Sequence, residues 1–224
     1  MKMSWKFLSR VVLSALVWIC VAIAVEAKLS PESPRAELLS FVESVNEMQN
    51  PTTDQLLAQA NAYRWLKDYK SAIKTLDRLT ALRPTNGALH AFRGIMLKFD
   101  DRFKEAKAEL DTAEKLGYTR TSVYAERSAV LMSLSDYSSA LKDANKAVEA
   151  EPGNANFHVL VGWAKGELGK PEDGLAALDK ALQLDANNAG ALGIRAAIYK
   201  KIGRSKEAST DWQRAHSLGW KSPL

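Results

Sequence analysis

The side chains of this chain that could do chemistry recur in step. His90 and His158 occupy equivalent places, and so do Arg93, Arg127 and Arg195. Two equivalent histidines raise the question of a metal site, and three equivalent arginines that of an anion-binding ladder. Distance answers the first. Stacked helices lie 8–10 Å apart, so equivalent places two repeats apart are separated by about 20 Å and cannot share an ion. His90 and His158 therefore read as structural, and His216 falls elsewhere, on a last helix. Each arginine immediately precedes a small residue, which favours aliphatic packing with a solvated or carboxylate-paired head over anion binding. Asp100, Asp101 and Asp185 lack the spacing of a cation loop. No glycine-rich phosphate loop, Ser–His–Asp arrangement or cysteine cluster is present. The expectation is a non-enzymatic protein with no cofactor and no metal.

The elements that carry these residues are written five times. From Thr53 to Ser222 one pattern fills five equal segments, 53–86, 87–120, 121–154, 155–188 and 189–222, without insertion or deletion. One column of small residues reads Ala60, Gly94, Ser128, Gly162, Ala196, and a second reads Ala72, Ala106, Ala140, Gly174, Ala208. A third reads Leu79, Ala113, Ala147, Ala181, Ala215. Small residues at fixed spacing imply that the same two backbones approach closely in every copy. In the third copy Tyr124, Arg127, Ser128, Leu131 and Leu134 step by three and four, which predicts a helix with one buried face. Ser135-Asp136 breaks that run and offers an N-cap, after which Tyr137, Ala140, Leu141, Ala144, Ala147 and Val148 resume the spacing. Pro152-Gly153-Asn154 turns the chain again. Each copy is thus an antiparallel helical hairpin, filled by Tyr63, Leu97, Leu131 and Tyr199 from first helices and by Leu76, Leu110, Leu178 and Trp212 from second helices. A lone hairpin buries too little apolar surface to offset its ordering entropy, so the hairpins must stack.

The small columns, the aromatic after the hairpin turn (Tyr69, Phe103, Tyr137) and the closing Pro84 and Pro152 resemble the tetratricopeptide repeat. The resemblance covers 170 of 224 residues. It implies an all-α, right-handed superhelical solenoid of antiparallel helix hairpins that binds protein or peptide segments along its first helices. Departures gather in the fourth copy, with Lys165, Pro171, Gly174 and Ala186 at family positions. Gly162, Gly166, Gly169 and Gly174 also lower helix propensity there, so residues 155–188 are expected to open most easily. Mapped onto this chain, the family's binding face gives Leu57, Asn61, Trp65, Phe92, Ile95, Phe99, Met132, Leu160, Trp163 and Ile194 as candidates. Arg64, Lys98, Ala197, Lys200 and Lys201 map there too. The family's carboxylate clamp for chaperone C-termini is absent, because Leu57, Phe92, Ala125 and Glu126 occupy its other positions beside Asn61. That leaves an apolar or amphipathic segment as the expected partner. Packing between adjacent first helices is the competing role for each of these side chains.

The flanks add a compartment. Lys2, Lys6 and Arg10 precede an uncharged run from Val11 to Val25, and Val25-Glu26-Ala27 suits a signal peptidase. Residues 1–27 read as a secretory signal, with an uncleaved membrane anchor as the alternative. Ile19 before Cys20 is too bulky for lipoprotein processing. Removing three basic residues and one acidic one lowers the net charge from +5 to +3, with no clustered basic face to suggest nucleic acid. The mature chain would hold no cysteine, and Pro51 blocks the Asn50-Pro51-Thr52 glycosylation site. The periplasm or cell envelope is the expected location. Lys28–Pro34 reads as a flexible lead-in. Leu38, Leu39, Val42, Val45 and Met48, at helical spacing before Asn50-Pro51, read as a capping helix within 35–52. After Leu218 either Trp220 folds back over the last hairpin or another chain covers that edge, a homodimer being one form of this. The rival function is an accessory subunit that assembles an envelope complex through this end, in which case Trp220→Glu, rather than Phe92→Glu or Trp163→Glu, would abolish binding.

Overall fold

A computed structural model describes residues 29–220, and the structural statements that follow concern those residues. The signal-like segment and residues 221–224 lie outside them. Helix α1 spans Arg35–Asn46. Five first helices follow: α2 Thr53–Trp65, α4 Gly87–Phe99, α6 Thr121–Ser133, α8 Ala155–Glu167 and α10 Ala189–Lys201. Each has 13 residues, and each opens on the first residue of its sequence segment. They alternate with the second helices α3 Tyr69–Leu82, α5 Phe103–Lys115, α7 Tyr137–Ala150, α9 Pro171–Leu184 and α11 Ser205–Ser217. The described residues are all-α, with no strand.

Local chemistry sets the ends. Thr52 and Gln55 form a reciprocal capping box at α2, and Asn86, Asn154 and Asn188 accept backbone N–H bonds at the starts of α4, α8 and α10. Asp68 and Asp136 do the same for α3 and α7, accepting from the backbone of Ser71 and Ser139 at 3.1 Å. Within each hairpin one turn residue is left-handed: Lys67, Asp101, Ser135, Gly169 and Gly203, with φ between 58° and 80°. The N–H that follows it reaches back into the first helix, as from Asp136 to the Leu131 carbonyl at 2.9 Å. This satisfies an orphan carbonyl of the first helix and reverses the chain.

The chain divides into two compact units, Met1–Arg102 and Phe103–Leu224. In the first, Leu38, Phe41, Val42 and Val45 of α1 cluster with Ala62 of α2, and Leu29, Tyr63, Trp65 and Leu66 pack around them. One expectation is corrected here. The buried stripe of α1 runs through Phe41 rather than Leu39, which is 40% exposed, because positions 38, 41, 42 and 45 share one helical face. Before α1, Ser33 N–H bonds the Ser30 carbonyl at 3.1 Å, and Leu29 sits on the cluster.

In the second unit the glycines of the fourth copy mark a close helix approach. A Cβ on Gly162 would lie 2.6 Å from Leu178 Cγ and 2.9 Å from the Gly174 carbonyl oxygen, and one on Gly166 would lie 2.7 Å from Ile198 Cδ1. Across both units Ala60, Ala72, Gly94, Ala106, Ala113, Ser128, Ala140, Ala147, Gly162, Ala181, Ala208 and Ala215 are all buried. Of the expected fillers, Leu76, Leu97, Leu110, Leu131 and Leu178 are buried, whereas Trp212 is 42% exposed. Trp212 lies on the last described helix, with no further hairpin stacked on it.

Candidate interaction surface

The arginine column is an ionic seam. Arg127 of α6 donates from Nε and Nη2 to the two oxygens of Asp143 on α7, at 2.6 and 2.9 Å. Its Nη1 donates to Asp111 at 3.0 Å and to Glu114 at 2.5 Å, both on α5. Arg195 repeats the pattern with Asp211 at 2.6 and 2.8 Å and with Asp179 at 2.6 Å. Arg93 pairs with Asp77 at 2.7 Å. The partners of Arg127 and Arg195 lie on the helices immediately before and after, so one guanidinium ties its own second helix to the preceding one. Hydrogen bonding to Asp143 and to Asp211 raises the Arg127 and Arg195 guanidinium pKa values further, against the opposing effect of burial. Arg127 in turn holds the Glu114 carboxyl below its ordinary value of 4.5. With its charge engaged in this way, the column is no anion ladder. The head groups are drawn into the stack rather than left in water. In the first copy Gln59 takes the place, bonding the Val42 carbonyl at 3.1 Å and Asn46 at 2.9 Å. In the fourth Val161 does, and Asn145 and Ala177 stand at the carboxylate places. His90 and His158 bond the Pro84 and Pro152 carbonyls at 3.0 and 2.9 Å, fastening the turns between copies.

The mapped binding face falls into two separate sets. In the first unit, Asn61 bonds the Leu57 carbonyl of its own helix at 3.1 Å. The Arg64 guanidinium lies 5.8 Å from the Trp65 ring and 5.5 Å from the Phe92 ring. Phe99, 47% exposed, stacks on Tyr69 at 5.1 Å with Lys98 over it at 4.4 Å. Ile95 is half-buried, and the buried Trp65 indole N–H has no hydrogen-bond partner.

In the second unit α6, α8 and α10 border a cleft of about 400 Å³. Trp163, Ile194, Ala197, Ile198, Tyr137 and Trp220 form its apolar wall, and Glu167 and Lys201 belong to its polar part, paired at 2.7 Å. Met132 also borders it but is 3% exposed, packed with Leu131, Ala140 and Ala164. It is a core residue whose edge reaches the cleft, because α8 packs directly over it. Leu160, although half-buried, is not among the lining residues. Tyr137, Glu167, Gly193 and Trp220 are lining residues that the mapped pattern omitted. Trp220 arrives by folding back: its ring covers Gly193, where a Cβ would lie 2.5 Å from it, and meets Trp212 edge-on at 5.3 Å. The sequence left this as one of two alternatives, and only the tight turn at Gly219 (φ 82°) aims the ring. No group of acidic or histidine side chains able to hold a metal occurs among the described residues.

No protein-family profile matches the chain. The chain is similar to the Hsp70-Hsp90 organizing protein of Triticum aestivum, 39% identical over 89 residues, which is 40% of this chain and 15% of that protein. It is 38% identical over 71 residues to the small glutamine-rich tetratricopeptide repeat-containing protein 2 of Saccharomyces cerevisiae, covering 32% of this chain and 20% of that one. The matched stretches thus span a fifth or less of these relatives. Among solved structures, YrrB, described as a TPR protein with an unusual peptide-binding site, superposes with a TM-score of 0.62 at 17% identity, covering 84% of this chain and 93% of that one. That likeness speaks to fold alone. Joined to the relatives in sequence and to helix hairpins recurring in five equal segments, it identifies the chain as a tetratricopeptide-repeat protein with an all-α repeat fold.

Proposed function

We propose that this chain is a non-enzymatic scaffold that holds an apolar or amphipathic segment of a partner protein in the cleft bordered by α6, α8 and α10. Repeat proteins of this kind serve as protein-interaction scaffolds, and the finer reading rests on the cleft. Tyr137, Trp163 and Trp220 offer aromatic surface beside Ile194, and the Lys201–Glu167 pair gives polar groups that can orient a backbone or a charged flank. The peptide-binding site ascribed to YrrB is consistent with this use of the fold. In the test, the chain and its Trp163→Glu variant are titrated against arrayed amphipathic peptides and against extracts of cell envelopes. Partners captured by the parent and lost with Trp163→Glu support the reading, whereas capture indifferent to that change refutes it. Trp220→Glu cannot separate cleft from end face, since Trp220 borders the first and packs on Trp212 at the second.

Export to the periplasm or envelope belongs to the same proposal and is carried by residues 1–27, outside the described structure. Intact mass of protein from cells reads it directly: a mature start at Lys28 supports export, full-length protein in the membrane fraction supports the anchor, and full-length soluble protein refutes both.

A further inference from the structure

Trp220 sits in the cleft as a ligand would. Three consecutive atoms of its six-membered ring, Cζ2, Cη2 and Cζ3, all lie 2.5 Å from where a Cβ on Gly193 would stand. Equal distances to three neighbouring ring atoms put that point over the ring centre, so the ring lies face-on against the backbone of α10. Only a glycine admits this contact. The other copies carry Leu57, Ala91, Ala125 and Val159 in place of Gly193, and Pro84, Tyr118, Pro152 and Ala186 in place of Trp220. Slot and ring therefore occur together, once in five copies. Trp212 closes the slot edge-on, its ring centre 5.3 Å from that of Trp220. The backbone beneath the ring is held separately: Gly219 N–H bonds the His216 carbonyl at 2.9 Å, and Trp220 N–H bonds the Ala215 carbonyl at 3.1 Å. The ring can leave by rotating about its own side-chain bonds while the cap of α11 stays intact.

We infer that the surface of Gly193 is a receptor slot for one aromatic side chain of the partner segment, filled in cis by Trp220 until that segment arrives. The inference rests on the cleft being the binding site. The chain's own indole shows the size and flatness that the slot accepts. Tethered beside the slot, Trp220 outcompetes a free aromatic molecule, because its effective concentration there is that of an intramolecular ligand. A segment that also packs on Tyr137, Trp163 and Ile194 makes contacts that Trp220 lacks, and can take its place. Trp220 thereby sets a threshold that favours segments combining an aromatic anchor with the rest of the cleft over any that offer the anchor alone.

Free indole is the probe for the slot, titrated into the full chain by calorimetry. The parent, whose slot is full, should not bind it. Trp220→Ala should bind it saturably, and adding Gly193→Val should abolish that binding; Val159 stands on the helix at the same place in the fourth copy. The partner's part is read with paired amphipathic peptides that differ only in tryptophan or alanine at one anchor. Trp220→Ala should bind the tryptophan peptides roughly tenfold more tightly than the parent does, and the alanine peptides no better. Indole left unbound by Trp220→Ala at parental helicity, or bound regardless of Gly193→Val, overturns the slot, and equal gains for both peptides overturn the displacement. Should Trp220→Ala unfold, the parent labelled with 5-fluorotryptophan decides: Gly193→Val must move the Trp220 fluorine resonance, assigned with Trp220→Phe, to its solvent-exposed position, and an unmoved resonance overturns the inference. Peptides bound by neither the parent nor Trp220→Ala, with indole still held in the slot, would refute the cleft reading and the displacement with it.

Discussion

Arg127 gathers three carboxylates around one buried guanidinium: Asp143, Asp111 and Glu114. Removing one side of such a group leaves the other buried without a counter-charge, which costs about 3–5 kcal/mol. Arg127→Ala should therefore lower the unfolding free energy by about 3 kcal/mol, measured by urea titration. The fourth copy suggests the compensation, since Val161 and Ala177 stand there without any charge. Arg127→Val combined with Asp143→Ala should be more stable than either single variant, and a double variant that simply sums the two losses would contradict the seam as described. Glu114 gives the pH dependence. Its carboxyl titrates below 4.5 in the folded chain, so the unfolded chain binds more protons in that range. The stability it contributes is complete above the ordinary carboxylate value and is lost as pH falls through the depressed one. Melting followed from just above that ordinary value downward should show a shallower acid loss in Glu114→Gln. None of the ionic partners was legible in the sequence, because residues so far apart along the chain are paired only once antiparallel helices fix which turns face each other.

At the scale of the helix, propensity and packing oppose each other in the fourth copy. Three glycines in α8 and α9 cost about 1 kcal/mol each relative to alanine, yet Gly162 and Gly174 let the two backbones approach to contact. Gly162→Ala gains propensity but drives its Cβ to 2.9 Å from the Gly174 carbonyl oxygen, a backbone atom that cannot rotate away. A net loss of about 1–3 kcal/mol is expected in thermal unfolding, and a gain would show that α8 and α9 can separate freely. Ala140→Leu, at a fully buried position, should cost more. Which effect dominates in the intact chain is read by hydrogen exchange: amides of residues 155–188 should exchange before those of 121–150, and the reverse order would mean that close packing outweighs propensity. The helices themselves were legible, down to the cap at Asp136, because a three-and-four spacing broken by turn residues is a local property. Phe41 replaced Leu39 on the inner face of α1 because its neighbours, absent from a local pattern, choose between adjacent stripes.

For the whole molecule, a fivefold repeat and aromatic first helices point to protein-binding surfaces. The expected loss of partner capture in Trp163→Glu belongs to this scale, since the cleft takes side chains from three first helices, a second helix and the segment after α11. The amino-acid order by itself determined the repeat length, the hairpins, the small columns and the family, because each is written in spacing along the chain. Only the tertiary structure decided that Met132 is core, that Trp220 turns back onto Gly193, and that the arginines are spoken for by carboxylates. Those outcomes depend on which atoms meet across helices, and a periodic pattern carries the same signal for a side chain that packs inward and for one that awaits a partner.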